Sequence, residues 1–327
     1  MLSRGCRVRY PNVASGPSQP GDKSGRHSRV AVSILALAIM ALTTISGAAA
    51  APKSKPNQIQ FEYVPPKDSA HQPIYDQMKQ GRALENLKEL LSPLRLPYPL
   101  TLKVEGCDGV LNAFYSDEVV TVCYELLADI LKNKDAPDQS IPSGLSKADA
   151  VLGPVLAVFL HEVGHAVFNM LQIPVLGREE DAADQFAAYV MLRLNKDDAR
   201  KMILGSAYQH RLQMPGPKIT MATKSFSDEH STPAQRAFNI LCIAYGTDKT
   251  VFADIVEKDF LPKRRAEICE KEYEDLNFAM TKLIGPHIDK RTAKNFQEVW
   301  NRTITARRAR LAGPTDSLTV EQNSIAH

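Results

Sequence analysis

The sequence predicts an α+β fold, a small, mostly antiparallel sheet followed by a mainly helical body. Three observations predict it. Leu100, Leu102 and Val104 alternate with Thr101, Lys103 and Glu105, the two-residue period of a strand with one buried face. Two more short apolar runs, residues 110–115 and 119–123, follow the turn-forming stretches GCDG and SDE. From Leu145 onward the apolar residues recur with a helical period in successive segments. At 327 residues and 44% hydrophobic content, the chain can bury a sizeable core around these elements.

At the N-terminus a polar, basic stretch leads into an uncharged apolar run, residues 30–45, and then into small residues around Ala48, Ala49 and Ala50. Basic flank, apolar segment and A-x-A-like end are the three parts of a secretory signal peptide, so residues 1–50 read as an N-terminal extension and signal, with cleavage near Ala50 or Ala51. This predicts a secreted or periplasmic protein with no stable membrane insertion once the signal is cleaved. Residues 30–51 are also just long enough to span a bilayer, which leaves an uncleaved membrane anchor as the alternative. Six of the 40 basic and one of the 37 acidic residues lie in residues 1–50, so 34 basic residues face 36 acidic ones in the remainder. That balance gives no electrostatic case for a nucleic-acid partner.

Residues 51–70, rich in Pro and Lys, read as an extended lead-in, and residues 71–91 as a helix ended by Ser92-Pro93. The strands follow. Cys107, Cys123, Cys242 and Cys269 form an even set in the exported chain, and the pairs Cys107 with Cys123 and Cys242 with Cys269 each close a local unit; four buried free thiols are the alternative. No C-x-x-C spacing suggests a cysteine metal site. Residues 145–171 carry AVLGPVLAVFL, apolar almost all round, which predicts an interior helix with Pro154 as a kink or a later start. Further helices are expected at 178–194, 197–212, 232–245, 251–257 and 262–284. From Arg302 the composition turns basic and polar, a flexible tail over residues 302–327. Residues 71–301 are then the folded domain, and no internal repeat is visible.

The chemistry concentrates in HEVGHAVFNMLQIPVLGREEDAAD, beginning at His161. His161 and His165, at i and i+4, lie one helical turn apart on one face, so both imidazoles reach one point and can bind Zn²⁺ while leaving positions open. Glu162 is rotated about 100° from His161 and about 60° from His165. It stands beside such a metal rather than on it, placed to take a proton from water, which is why H-E-x-x-H on a helix reads as a zinc peptidase signature. Two histidines and a glutamate on an interior helix would be costly to bury unless something satisfied them.

A catalytic site needs a third protein ligand. Glu180 is the candidate, with Asp184 four residues later on the same side of the next helix, placed to fix His161 through its other ring nitrogen. Glu179 competes, but its i+4 neighbour is Ala183. Acids just after Gly177 are also what a helix N-terminus attracts, so the cluster gains meaning only beside the histidines. His230, in SDEHS ahead of a helix, is the first candidate to stabilise a developing oxyanion, ahead of His210 in AYQHR. Asn301-Arg302-Thr303 fits a glycosylation acceptor, relevant only in a eukaryotic host.

HEVGH followed by EDAAD resembles the gluzincin pattern, H-E-x-x-H then E-x-x-x-D, in which the later glutamate is the third zinc ligand and the aspartate supports the first histidine. LNAFY is similar to the N-A-F segment of small gluzincins, whose edge strand borders the substrate cleft; this implies that Asn112 and Ala113 contact an extended peptide or protein substrate. DEHSTPAQRAFNILCIAYG and RRAEICEKEYEDL resemble a family of secreted bacterial proteins first catalogued as a domain of unknown function and described as a metallopeptidase. The resemblance covers about residues 60–290 and implies a zincin-like fold, one zinc ion per chain and hydrolysis of peptide bonds with Glu162 as general base. The alternatives are an exported metal- or peptide-binding protein without catalysis, and a membrane-anchored interaction protein whose histidines are core residues. Glu162 argues against the first, because a structural metal site needs no general base.

Overall fold

The computed structural model describes residues 58–135, 144–214 and 227–293. The signal segment, residues 51–57 of the lead-in, the Asn301 acceptor and the tail from Arg302 lie outside the described residues.

Four strands form one sheet: β1 (Ile59–Tyr63), β2 (Leu100–Glu105), β3 (Ala113–Ser116) and β4 (Val119–Cys123), in the order β1-β2-β4-β3. The alternation read in the sequence is kept in β2, where Leu100, Leu102 and Val104 are fully buried and the residues between them are not. Asp117 and Glu118, with φ of 50° and 59°, make a two-residue hairpin turn between β3 and β4, the conformation whose twist suits adjacent antiparallel strands. The rest of the sheet departs from the expectation. β1 and β4 both run parallel to β2, with Ile59 opposite Leu100 and Glu105 opposite Cys123, so the sheet is mixed rather than mostly antiparallel. The reason is long-range: β4 inserts between β2 and β3, an arrangement to which no turn signal points. β1 lies inside the stretch expected to be an extended lead-in, and only Ile59 of its five residues is fully buried, so its pattern is faint.

Helices fill the remainder. The helix expected over 71–91 is two, α1 (Gln72–Gln80) and α2 (Ala83–Leu90), because Arg82 takes a left-handed φ of 52° between them. α3 (Tyr124–Leu131) starts directly from β4, its apolar run having merged with the strand in the sequence. α4 (Lys147–Met170) begins at Ser146, whose side chain accepts from Asp149 N. Pro154 sits inside α4 and does not end it. Proline has no N–H to give the Ala150 carbonyl, and Asn133 Nδ2 donates to that oxygen instead, at 2.9 Å. After α4 come α5 (Glu179–Met191), α6 (Lys196–Leu212) and α7 (Pro233–Thr247), the last started by a reciprocal Thr232–Gln235 capping box. Short helices α8 (Ala253–Glu257) and α9 (Lys263–Ala266) precede α10 (Cys269–Leu283) and α11 (Lys290–Ala293). The continuous helix expected over 262–284 is thus broken after Ala266.

α4 is the centre of the molecule, packing against α5, α6, β3 and β4. It is long and apolar enough to cross a membrane, but most of it is buried against protein, as the interior reading requires. Leu160, Val163, Ala166 and Val167 are fully buried. Gly164 lets α5 come close: a Cβ there would stand 3.2 Å from Ala183 Cα. That contact brings the His161 turn of α4 against the first turn of α5. Both cysteine pairs are disulfides, Cys107–Cys123 joining the ends of β2 and β4 and Cys242–Cys269 joining α7 to α10.

Candidate metal centre

The histidines and carboxylates singled out in the sequence converge where α4 meets α5. His161 Nδ1 is 2.8 Å from Asp184 Oδ1, and His165 Nδ1 is 2.8 Å from Glu179 Oε1. With both Nδ1 atoms tied to carboxylates, both Nε2 atoms turn toward one point and lie 3.2 Å apart. Glu180 Oε2 is 3.0 Å from His161 Nε2 and 3.4 Å from His165 Nε2. Tetrahedral ligands on bonds of about 2.0 to 2.1 Å stand about 3.3 Å from one another, so the three atoms are spaced as the ligands of a single small cation. Two imidazoles and one carboxylate, each ring held by a carboxylate behind it, fit a divalent ion that accepts nitrogen and oxygen donors.

His230 Nε2 also reaches Glu180 Oε2, at 2.9 Å, and its half-exposed ring stacks on His161 with centroids 5.9 Å apart. Donor atoms of His161, Glu180 and His230 all lie within 4.8 Å of each other, a second possible triad sharing two members with the first. His165 shares a rigid helix with His161 and has its other nitrogen tied. His230 projects from the short stretch before α7. The first triad is therefore the better organised.

Behind the centre, Arg236 of α7 grips Asp184 through two hydrogen bonds of 2.7 Å, from Nε to Oδ2 and from Nη2 to Oδ1. Burial works against the charge on Asp184, but His161 and Arg236 hold its carboxyl far below the usual range. Glu180 is likewise held far down, its burial outweighed by the three imidazoles. Burial pulls His165 down, yet Glu179 and Glu180 push it up to about 10, and His161 rises in the same way through Asp184 and Glu180. Glu162 differs: it is 7% exposed, and burial raises its carboxyl despite the imidazoles nearby.

Glu162, His161 and His230 open onto a cavity of about 190 Å³ bordered by Asn112 and Ala113. β3 is an edge strand, and Asn112 O accepts from Cys123 N at 3.1 Å where its pairing with β4 begins. The structure thus brings together His161, Glu162, His165, Glu180, Asp184 and His230, with Asn112 and Ala113 at the rim. The contact of Glu179 with His165 was not legible in the sequence, because it crosses from α5 to α4 and no spacing within one helix marks it. Nor was the role of Arg236, which lies 52 residues beyond Asp184 and carries no spacing signal.

A family model described as "Putative metallopeptidase", DUF4344, matches residues 63–284, more than half of the chain and all of this centre. No curated protein and no solved structure matches.

Proposed function

This chain belongs to the DUF4344 family, and on that premise we propose that it is an exported zinc-dependent peptidase with Glu162 as general base. The observation that carries the reading is the meeting of His161 Nε2, His165 Nε2 and Glu180 Oε2 at ligand spacing, with each imidazole's Nδ1 bound to a separate carboxylate. His161, His165 and Glu180 would hold the zinc; Asp184 and Glu179 fix the two rings. When bound, zinc supplies Lewis acidity toward the scissile carbonyl and lowers the pKa of water toward about 7.

The chain's own groups do the rest. An extended substrate pairs with the edge strand at Ala113, which lays its carbonyl across the mouth of the cavity. Glu162, its basicity raised by burial, takes one proton from the attacking water as the new C–O bond forms. It gives that proton to the amine nitrogen as the C–N bond breaks. His230, half-exposed at the same mouth, donates to the carbonyl oxygen as negative charge develops there. The two disulfides agree with folding in an oxidising compartment, which suits secretion or a periplasmic location.

The test is metal content and peptide-library cleavage, measured on the exported protein and on its Glu162→Gln variant. The reading requires about one zinc per chain in both, with cleavage lowered by roughly 10²- to 10⁴-fold in the variant. Folded protein without metal would overturn it. Full zinc with no cleavage of any peptide would leave a metal-binding protein without catalysis.

A further inference from the structure

His210 lines the cavity onto which Glu162 and His161 open. It is 9% exposed, and its Nδ1 has no hydrogen-bond partner. It is not alone there. Ser206, Gln209 and His210 stand at i, i+3 and i+4 of α6, with Gln213 at its C-terminal cap, a polar stripe that lines the cavity together with Pro154, Ala157 and Val158 of α4. An interior helix normally turns an apolar stripe inward, and α6 does so elsewhere with Met202, Ile203 and Ala207. Gln209 is held in place by Asn133, whose Nδ2 donates to its Oε1 at 2.6 Å.

A buried nitrogen left unpaired destabilises the free protein, so its retention on a wall of the candidate cleft points to a partner that arrives with the substrate. Burial and the Arg236 charge hold the His210 ring neutral, its pKa brought down to about 3. The surroundings disfavour either charge on that partner. Arg236 and Asp184, which line the same cavity, are already paired with each other, and the neutral ring offers no charge of its own to pair with an ion.

Resting on the peptidase reading above, we propose that His210 is the polar end of a side-chain subsite selecting a substrate residue with a neutral hydrogen-bonding side chain, best an asparagine or glutamine. A carboxamide offers both donor and acceptor, and so pairs with Nδ1 in either tautomer of the neutral ring. The apolar face of α4 packs against its methylenes.

Binding and cleavage separate this subsite from the reaction it serves. Peptides carrying Asn or its near-isostere Leu at the positions flanking the scissile bond are titrated into the zinc-loaded, full-length Glu162→Gln protein. The ring nitrogens of His210 are followed by ¹⁵N NMR. Asn peptides are expected to bind about tenfold more tightly than their Leu counterparts and to move the His210 Nδ1 resonance, because a site built to hydrogen-bond rejects the analogue that cannot. His210→Leu should abolish the preference and raise Tm, since it removes an unpaired buried polar atom; a purely structural histidine would give a lower Tm instead. Equal affinity for the two peptide sets, or a preference that persists with an unmoved His210 resonance, overturns the subsite. The resonance decides the matter even where His210→Leu fails to fold. Cleavage by the Glu162-intact chain with no side-chain preference sinks the subsite alone, whereas selective binding without any cleavage sinks the peptidase reading and leaves the subsite standing.

Discussion

Glu180 Oε2 lies within 3.4 Å of both Nε2 atoms on α4, whereas Glu179 reaches the far nitrogen of His165 at 2.8 Å. The two neighbours are therefore expected to fail differently. Glu180→Ala should lose the metal, while Glu179→Ala should keep it with affinity weakened about 10- to 100-fold, the usual cost of removing a carboxylate behind a ligand histidine; competition against a chromogenic chelator measures both. Equal losses would mean the third ligand is misassigned. The pairing of Glu180 with Asp184 was legible because it obeys helical spacing, and the role of Glu179 was not because it crosses between helices. Away from the centre, Glu125 accepts from the N–H groups of Cys107 and Gly109 at 3.0 Å each, and these bonds outweigh its burial and lower its pKa. A lowered folded-state pKa contributes stability above the unfolded value, near 4.5, that is lost as pH falls through the folded one. Glu125→Gln should therefore cost about 1 kcal/mol at pH 7, with the difference from the parent narrowing below pH 4 in urea titrations.

At the scale of elements, the crossing of α4 and α6 sets the width of the cavity. Gly205 makes that crossing possible: a Cβ on it would fall 2.3 Å from the Asp149 carbonyl oxygen, a backbone atom with no room to yield. Gly205→Ala should force the helices apart at a cost of about 1 to 3 kcal/mol, or more if α6 cannot shift. At about 2 to 4 °C per kcal/mol for a domain of this size, thermal unfolding detects it. An unchanged Tm would show that the crossing is looser than the backbone distance implies. Because α6 carries His210 just over one turn later, the same substitution should also weaken peptide binding. The helices themselves were readable from period and caps, as at Ser146 and Thr232. Their close approaches were not, since a glycine in a helical run looks the same whether or not another backbone touches it. The sheet was the least readable part. Its strands have the right period, but the insertion of β4 beside β2 is decided by packing against α4, many residues away.

For the molecule as a whole, the centre ties together parts that are distant in the chain: α4 through His161 and His165, α5 through Glu179, Glu180 and Asp184, and the start of α7 through His230 and Arg236. An ion bound there adds stability to the entire fold, because the unfolded chain has no such arrangement to offer it. With free zinc at about 1,000 times Kd the gain is about 4 kcal/mol, which corresponds to roughly 10 °C in Tm for a domain of this size. Chelation should therefore lower the Tm of the parent protein by that order and leave Glu180→Ala unmoved, while Glu179→Ala responds in between. The disulfides make the comparison clean. Cys107–Cys123 and Cys242–Cys269 each close a local loop, of separations 16 and 27, and neither spans the α4–α5 junction, so the chelated protein keeps its crosslinks while losing the tie between helices. Near-ultraviolet circular dichroism should then report loosening around the centre in the chelated parent and no further change in chelated Glu180→Ala. A parent protein indifferent to chelation, with no metal found in it beforehand, would mean that the imidazoles and carboxylates form a structural hydrogen-bond network and nothing more.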